Sequence, residues 1–159
     1  MNKTEKMIGL LARIVLNDGD KDTAAEELKT ILNEQNPEQK RDGTEYECEI
    51  EKILFEIGVP CHIVGHEGLK KAIALVVDDP QLRYSTIKIY EKVAAEMGGE
   101  STPSKVERGI RHAISSAWNR GDVDVLYKYF GNTVDPNKGK PTNAEFICAA
   151  AQEIRRRFR

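Results

Sequence analysis

Apolar residues recur at helical spacing in almost every stretch of this 159-residue chain. Side chains three or four positions apart share one face of an α-helix, whereas a half-buried strand alternates with a period of two. The chain has no convincing run of the second pattern. A clear example of the first is the series Val106, Ile110, Ala113 and Ala117. We therefore predict an all-α fold.

Glycine and proline residues divide this pattern into separate helices. After residue 45, helices are predicted to end at Gly58, at Asp79-Pro80, at Gly98-Gly99, near Gly121 and at Gly131. Pro60 and Gly65 are expected to bracket a turn, followed by a helix over about 68–77 and a longer one over about 82–97. Thr142 and Glu145 have the spacing of a capping box that begins the last helix.

The first 44 residues are predicted to be separate from the main domain, residues 45–159. Two short amphipathic patterns over residues 1–32 predict a helical hairpin, and the polar stretch 33–44 predicts a linker. Isolated helices shorter than about 12–15 residues are marginal in water. We therefore expect the hairpin either to fold onto its own main domain or to form a homodimer through residues 1–33.

Composition and cysteine usage indicate a cytoplasmic protein. Hydrophobic residues make up 40% of the chain and charged residues 31%, which suits one soluble core. No apolar run approaches the ~20 residues of a membrane span, and no secretory signal is recognisable. Cys48, Cys61 and Cys148 are an odd number without a C-x-x-C pair, which predicts reduced, mostly buried thiols and no disulfide framework.

No catalytic or metal-binding pattern is complete. Three aspartates over residues 18–22 have the spacing that opens an EF-hand loop, but Thr23 and Lys29 replace its glycine and bidentate glutamate. Cys61, His62 and His66 lack a second ligand pair for zinc. We expect no enzyme activity, no cofactor and no bound metal.

Charge is distributed unevenly along the chain. Residues 1–48 have a net charge of -4 and residues 49–100 a net charge of -3, whereas residues 101–159 carry 11 basic and 6 acidic side chains, a net charge of +5. One basic third in a nearly neutral chain is typical of a protein with one anion-facing surface. A chance imbalance among solvated charges is the alternative.

The basic third opens with a helical stretch whose two sides differ. One side carries the apolar series from Val106 to Ala117, and the other carries Ser104, Lys105, Arg108, Arg111 and Ser115. A helix that ends at Gly98-Gly99 precedes it, with a turn about two residues longer than usual. This order is the pattern of a helix-turn-helix, whose second helix enters the major groove of DNA. An all-α interaction module is the alternative.

The residue types suit contacts with DNA. Arginine can bond two acceptors on guanine, whereas lysine, serine and histidine more often hold phosphates. Thr102-Pro103 predicts a helix cap and first position whose free backbone N–H groups favour a phosphate. Ser104 and Glu107 also have the spacing of a capping box, which gives Glu107 a structural alternative.

Three ordered segments carry a resemblance to a known family: EIGVPCHIVGH (56–66), TPSKVERGIRHAISSAWNRG (102–121) and KPTNAEF (140–146). From about Glu49 onward the chain resembles the C-terminal effector domain of the stage-zero sporulation response regulator. The resemblance implies a six-helix effector domain with a helix at about 104–119 in the major groove. It also implies double-stranded DNA targets that resemble TGTCGAA boxes, often bound by two domains in tandem.

The resemblance also assigns the DNA contacts. The matching positions are Ser104, Glu107, Arg108, Arg111 and His112. Lys105 stands where arginine is expected and lacks its planar fork. Gly109 stands where alanine is expected, which weakens the helix by about 1 kcal/mol. The basic run Arg155–Arg157 with Arg159 is a candidate for phosphate contacts or a solvated helix end.

Upstream, the chain departs from the family regulator, which begins with a phosphoacceptor receiver domain. About 45 residues precede the effector, too few for a receiver, and they lack its strand pattern. We therefore expect no phosphorylation control through this chain. The expected function is a sequence-specific DNA-binding transcription regulator, with RNA polymerase as a further candidate partner. The alternative is an adaptor that uses the same fold to bind and titrate other regulators.

Overall fold

The computed structural model describes residues 8–9, 11–12, 43–131, 133 and 139–159. Two compact units are present, residues 1–42 and 43–159. In the first unit, residues 8–9 and 11–12 are helical. The predicted hairpin and its homodimer contact otherwise lie outside the described residues, as does most of the predicted linker.

Six α-helices and one short 3₁₀ helix form the described part of residues 43–159. In chain order they are α1 (Gly43–Ile57), α2 (Val64–Asp78), the 3₁₀ helix (Pro80–Tyr84), α3 (Thr86–Met97), α4 (Pro103–Arg120), α5 (Val123–Phe130) and α6 (Asn143–Arg157). The described residues contain no strand, so the prediction of an all-α domain with six helices is confirmed. Among them, no helix has the length and apolar character needed to cross a membrane.

The core is centred on α2, which packs against α1, α3, α4 and α6. Its buried side chains meet completely buried residues of the neighbouring helices, among them Leu54, Ile110 and Phe146. The described core contains no buried polar or charged side chain. Each large apolar side chain that is fully buried contributes about 1.5–3 kcal/mol. The core therefore holds α4 firmly along its apolar side.

Two helices begin earlier than predicted. α1 begins at Gly43, inside the segment that the sequence predicts as a linker. The turn predicted between Pro60 and Gly65 is present at residues 61–62, but α2 begins at Val64 and not near residue 68, so that Gly65 lies within the helix. The reason is tertiary packing, because Gly65 is buried at the crossing of α2 and α4.

The Gly65 crossing brings two helix backbones together. A Cβ atom added to Gly65 would lie 2.0 Å from the carbonyl oxygen of Gly109. By contrast, a Cβ added to Gly109 would lie 3.4 Å from the Cα of Gly65, an ordinary van der Waals distance. The close approach therefore requires glycine at 65 and leaves room for alanine at 109.

The segment after α2 also differs from its prediction. Residues 80–84 form a 3₁₀ helix, and α3 begins at Thr86 and not near residue 82. Asp79 caps the 3₁₀ helix, because its carboxylate accepts the backbone N–H of Gln81 at 3.0 Å. Proline at the first position has no N–H to satisfy. This local cap produces a separate short turn that helical periodicity does not reveal.

The prediction of mostly buried thiols is wrong. Cys48 and Cys61 are exposed, Cys148 is half-buried, and all three are free. Cys48 lies off the core-facing stripe of α1, which includes Ile50 and Leu54. Burial raises the pKa of the Cys148 thiol.

Candidate nucleic-acid interface

α4 has one buried side and one exposed side. Its buried residues are Val106, Ile110, Ala113, Ile114 and Ala117. At 3.6 residues per turn, these span roughly 100° of the helix surface, and the six candidate DNA-contacting residues span roughly 160° on the other side. Glu107 is half-buried, whereas the exposed ones are Ser104, Lys105, Arg108, Arg111 and His112. The predicted division of this helix into a core stripe and a polar face is confirmed.

The start of α4 follows the predicted cap. Thr102 is the N-cap, its hydroxyl accepts the backbone N–H of Lys105 at 3.2 Å, and Pro103 takes the first helical position. Val106 donates its N–H to the carbonyl of Thr102 at 2.9 Å. Among the described contacts, the N–H groups of Thr102 and Ser104 have no partner at this helix start. Backbone donors are thus available to a phosphate.

The alternative capping box of Ser104 and Glu107 is wrong. Ser104 already lies inside the helix, because Thr102 occupies the cap position two residues earlier. Glu107 instead forms an ion pair with Arg111, one helical turn further on. The carboxylate therefore holds a candidate base-reading guanidinium on the exposed face of α4.

The other basic side chains of this face differ in their surroundings. Lys105 donates from its Nζ to the carbonyl oxygen of Glu100 at 2.9 Å and lies 3.8 Å from the carboxylate of the same residue. Arg108 and His112 are exposed, and neither forms an ion pair or a side-chain hydrogen bond within the described part of the chain. Their donors are free for an external acceptor.

The turn before α4 completes a helix-turn-helix arrangement. α3 packs against α4, and residues 98–102 connect them. Gly98 and Gly99 have φ angles of 64° and 60°, a left-handed conformation that glycine adopts without strain. Gly98 also donates its N–H to the carbonyl of Ala94 at 3.1 Å, which ends α3. The predicted glycine stop and extended turn are both present.

The last segment of the resemblance lies against α4, which sequence reasoning missed. Asn143 contacts the backbone of Glu107, and Lys140 contacts Ser115. The predicted capping box of Thr142 and Glu145 is confirmed beside them. The sequence could not have revealed these contacts, because they join residues that are 36 and 25 positions apart.

The basic run at the end of the chain is partly occupied within the domain. Arg157 donates to the carboxylates of Glu49 at 2.6 Å and Glu153 at 2.9 Å and to the hydroxyl of Tyr129 at 3.0 Å. Arg155 donates to the carbonyl of Val77 at 3.2 Å. These two arginines therefore join α6 to its neighbours, a role that differs from both sequence-based readings.

Arg156, which is also exposed, bonds within α6 itself. It forms an ion pair with Glu153 at 2.8 Å. The hydrogen bond from Arg156, with a further one from Arg157, lowers the pKa of the Glu153 carboxyl to about 2. Glu153 therefore stays charged throughout the neutral range and keeps both guanidinium groups near α6.

Comparison with known protein families agrees with this architecture. Residues 50–154 match the family model of the sporulation initiation factor Spo0A C terminal. The match spans more than half of the chain and includes α3, the glycine turn and α4. The family consists of DNA-binding effector domains that act in sporulation, and it is not an enzyme family. The chain therefore belongs to the family of Spo0A C-terminal domains.

Proposed function

We propose that the chain is a sequence-specific transcription regulator and that α4 is its recognition helix in the major groove. The observation that carries the proposal is the exposed basic half of α4, which lies opposite a completely apolar buried stripe. Arg108 faces solvent there without a partner among the described residues. A helix anchored along one side by the core can present the other side to DNA without a change in fold.

The side chains divide into two chemical roles. Arg108 and Arg111 have the planar fork that bonds the two acceptors of a guanine edge. Ser104, Lys105 and His112 lack this fork and have donors that suit phosphate oxygens. Glu107 can accept from a cytosine amino group or keep Arg111 oriented. The ion pair of Glu107 and Arg111 lies at the surface, so opening it for a base costs only about 0–1 kcal/mol.

The proposed targets are double-stranded sites that resemble TGTCGAA boxes, including tandem boxes. RNA polymerase is a further proposed partner at the promoters that contain them. Dimerisation through residues 1–33 would raise the effective concentration of the second domain on a tandem site. Sedimentation at micromolar concentration, with and without residues 1–44, tests the dimer. A monomer in both cases, with unchanged cooperativity on tandem boxes, would contradict it.

Binding to a short TGTCGAA duplex and to a scrambled duplex tests the function directly. We expect the parent protein to prefer the first, and Arg108→Ala to lose about 1–3 kcal/mol on that duplex alone. Arg156→Ala is the matched control, because it removes the same charge from another exposed site. Arg156 lies roughly 20 Å along α6 from Asn143, which contacts α4. Equal binding of both duplexes by the parent would reject the proposal.

The adaptor function is favoured by a different observation. Phe55 on α1 and Val64 on α2 are apolar and expose 83% and 76% of their surface. A protein that titrates other regulators would use such side chains and would not need the basic face of α4. Its complexes would be insensitive to salt, whereas binding to DNA weakens steeply as salt rises because phosphate contacts release counterions.

A further inference from the structure

Residues 140–143 lie against the recognition helix and contact it at two points. Asn143, the first residue of α6, donates from its side-chain amide to the carbonyl oxygen of Glu107 and to the hydroxyl of Tyr90, both at 3.1 Å. Lys140 donates from its Nζ to the hydroxyl of Ser115 at 2.9 Å. We call this segment the α4 clamp.

The second contact continues to the backbone of α4. The hydroxyl of Ser115 donates to the carbonyl oxygen of Arg111 at 2.9 Å. The clamp therefore reaches two backbone carbonyls, directly at Glu107 and through Ser115 at Arg111. Because residues four positions apart lie on the same side of a helix, both contacts act on one side of α4.

The clamp is itself firmly anchored. Pro141, between the two donor residues, is buried. Thr142 and Glu145 cap α6 reciprocally, and Phe146 is fully buried in the core. Burial also raises the pKa of the Tyr90 hydroxyl, so this phenol remains neutral. Asn143 thus joins α4 to α3 and α6 at one point.

We propose that Asn143 is a positioning residue for DNA recognition, which sets the rotation of α4 about its axis, with Lys140 and Ser115 as the second arm of the clamp. The inference rests on the proposed function of α4. Glu107 and Arg111, whose carbonyls the clamp holds, carry side chains of the proposed base-reading face. A clamp on these carbonyls controls where those side chains point.

The geometry makes rotation important. A helix with its side chains has a radius of about 5–6 Å, so a rotation of 20° moves side-chain tips by about 2 Å. Hydrogen bonds to base edges tolerate far less, since donor–acceptor distances lie within about 2.7–3.2 Å. The apolar stripe of α4 resists removal from the core but constrains small rotations weakly, because dispersion contacts have little direction. Hydrogen bonds are directional, so the two arms of the clamp restrict these small rotations of α4.

Two substitutions that keep the net charge distinguish a positioning role of the clamp from an electrostatic role. Asn143→Ala removes the direct arm, and Ser115→Ala removes the arm through Lys140; neither changes the net charge. Alanine suits the first turn of a helix, and the cap formed by Thr142 and Glu145 remains, so α6 is expected to fold in both variants. Tyr90→Phe removes only one acceptor of Asn143 and is expected to have a smaller effect.

Hydrogen exchange of the free protein provides the first measurement. Loss of one hydrogen bond of typical net strength corresponds to about a fivefold change. We expect Asn143→Ala to speed exchange in a peptide over residues 104–115 about fivefold and to leave peptides from α1 and α2 unchanged. Uniformly faster exchange would mean general destabilisation and would overturn the positioning role, as would unchanged exchange over 104–115.

The second measurement is binding of the full chain to the TGTCGAA and scrambled duplexes. We expect Asn143→Ala to weaken specific binding about fivefold and to leave scrambled-duplex binding and its salt dependence unchanged, because no phosphate contact is lost. Equal losses on both duplexes, or no loss, would overturn the role in recognition. A parent that does not distinguish the duplexes would reject the proposed function itself, whereas the exchange data would still decide whether the clamp holds α4.

Discussion

Two basic regions of the domain look alike in sequence and differ in structure. Arg108 and Arg111 lie on the exposed side of α4, where Arg108 has no partner among the described residues. Arg155 and Arg157 lie two positions apart at the end of α6, and both are bonded to other helices. Arg108 in the first region has free donors for a ligand, whereas Arg157 in the second uses its donors within the fold.

The difference shows why positive charge alone is a poor guide to a DNA-binding surface. An arginine bonded to two carboxylates, as Arg157 is, would have to break those bonds before it could hold a phosphate. An unpaired arginine has to lose only its bound water before it can hold a phosphate. The net charge of +5 over residues 101–159 therefore overstates the charge available to DNA.

The largest effect on stability is expected at the crossing of α2 and α4. The exposed side of α4 can face DNA only while its other side is packed on α2. In Gly65→Ala the new Cβ would lie 2.0 Å from the Gly109 carbonyl. We expect a loss of about 1–3 kcal/mol in unfolding free energy, as for an overpacked core. Gly109→Ala is the matched control and should gain up to about 1 kcal/mol from helix propensity. Urea denaturation of both variants measures this; losses of equal size would contradict the contact.

Arg111→Ala tests the exposed side of the comparison. It should cost about 1–3 kcal/mol in binding to the TGTCGAA duplex and relax base preference, because a bidentate base contact is lost. Its unfolding free energy should change by less than about 0.5 kcal/mol, since only an exposed ion pair with Glu107 is removed. Fluorescence anisotropy and thermal denaturation measure the two quantities. A loss of stability without a loss of binding would show that Arg111 stabilises the fold and does not contact DNA.

Arg157→Ala should show the opposite behaviour. It removes the bond to Glu49 that joins α6 to α1 and a bond to Glu153 within α6, so we expect a loss of about 1–2 kcal/mol in stability. DNA binding by the folded variant should equal that of the parent. Reduced binding at temperatures where the variant is fully folded would place Arg157 at the DNA interface.

A smaller effect is expected in acid. The pKa of Glu153 is about 2 in the folded state against 4.5 as the ordinary value. The carboxylate therefore stabilises the fold above pH 4.5, and this contribution is lost as the pH falls towards 2. The double variant Arg156→Ala, Arg157→Ala should lose less stability than the parent over this interval in urea titrations. Parallel curves would show that the ion pairs do not set the acid sensitivity.

Local patterns predicted much of the fold. The glycine stop at Gly98, the Thr102 cap and the capping box of Thr142 depend on neighbouring residues, and the structure has all three. The apolar spacing of α4 predicted its buried side for the same reason. Periodicity also predicted all six helices, although it placed the starts of α2 and α3 several residues away from where they lie.

The remaining features depend on contacts between distant residues. Gly65 reads as a turn residue until the backbone of Gly109 is placed beside it. Asn143 reaches Glu107 across 36 positions, and Arg157 reaches Glu49 across 108. A single sequence shows the chemistry of these side chains but not their partners. The six candidate DNA-contacting residues were predicted from a resemblance, and the structure adds which of their side chains are exposed.

The central claim is that α4 reads base sequence through Arg108 and its neighbours. The most direct measurement is selection from a pool of randomised duplexes with the parent and with Arg108→Ala, followed by sequencing. The account predicts that the parent enriches TGTCGAA-like sites, and that the variant loses preference at one or two adjacent positions and keeps it elsewhere. Enrichment of the same sequence by both proteins, with equal strength at every position, would contradict it.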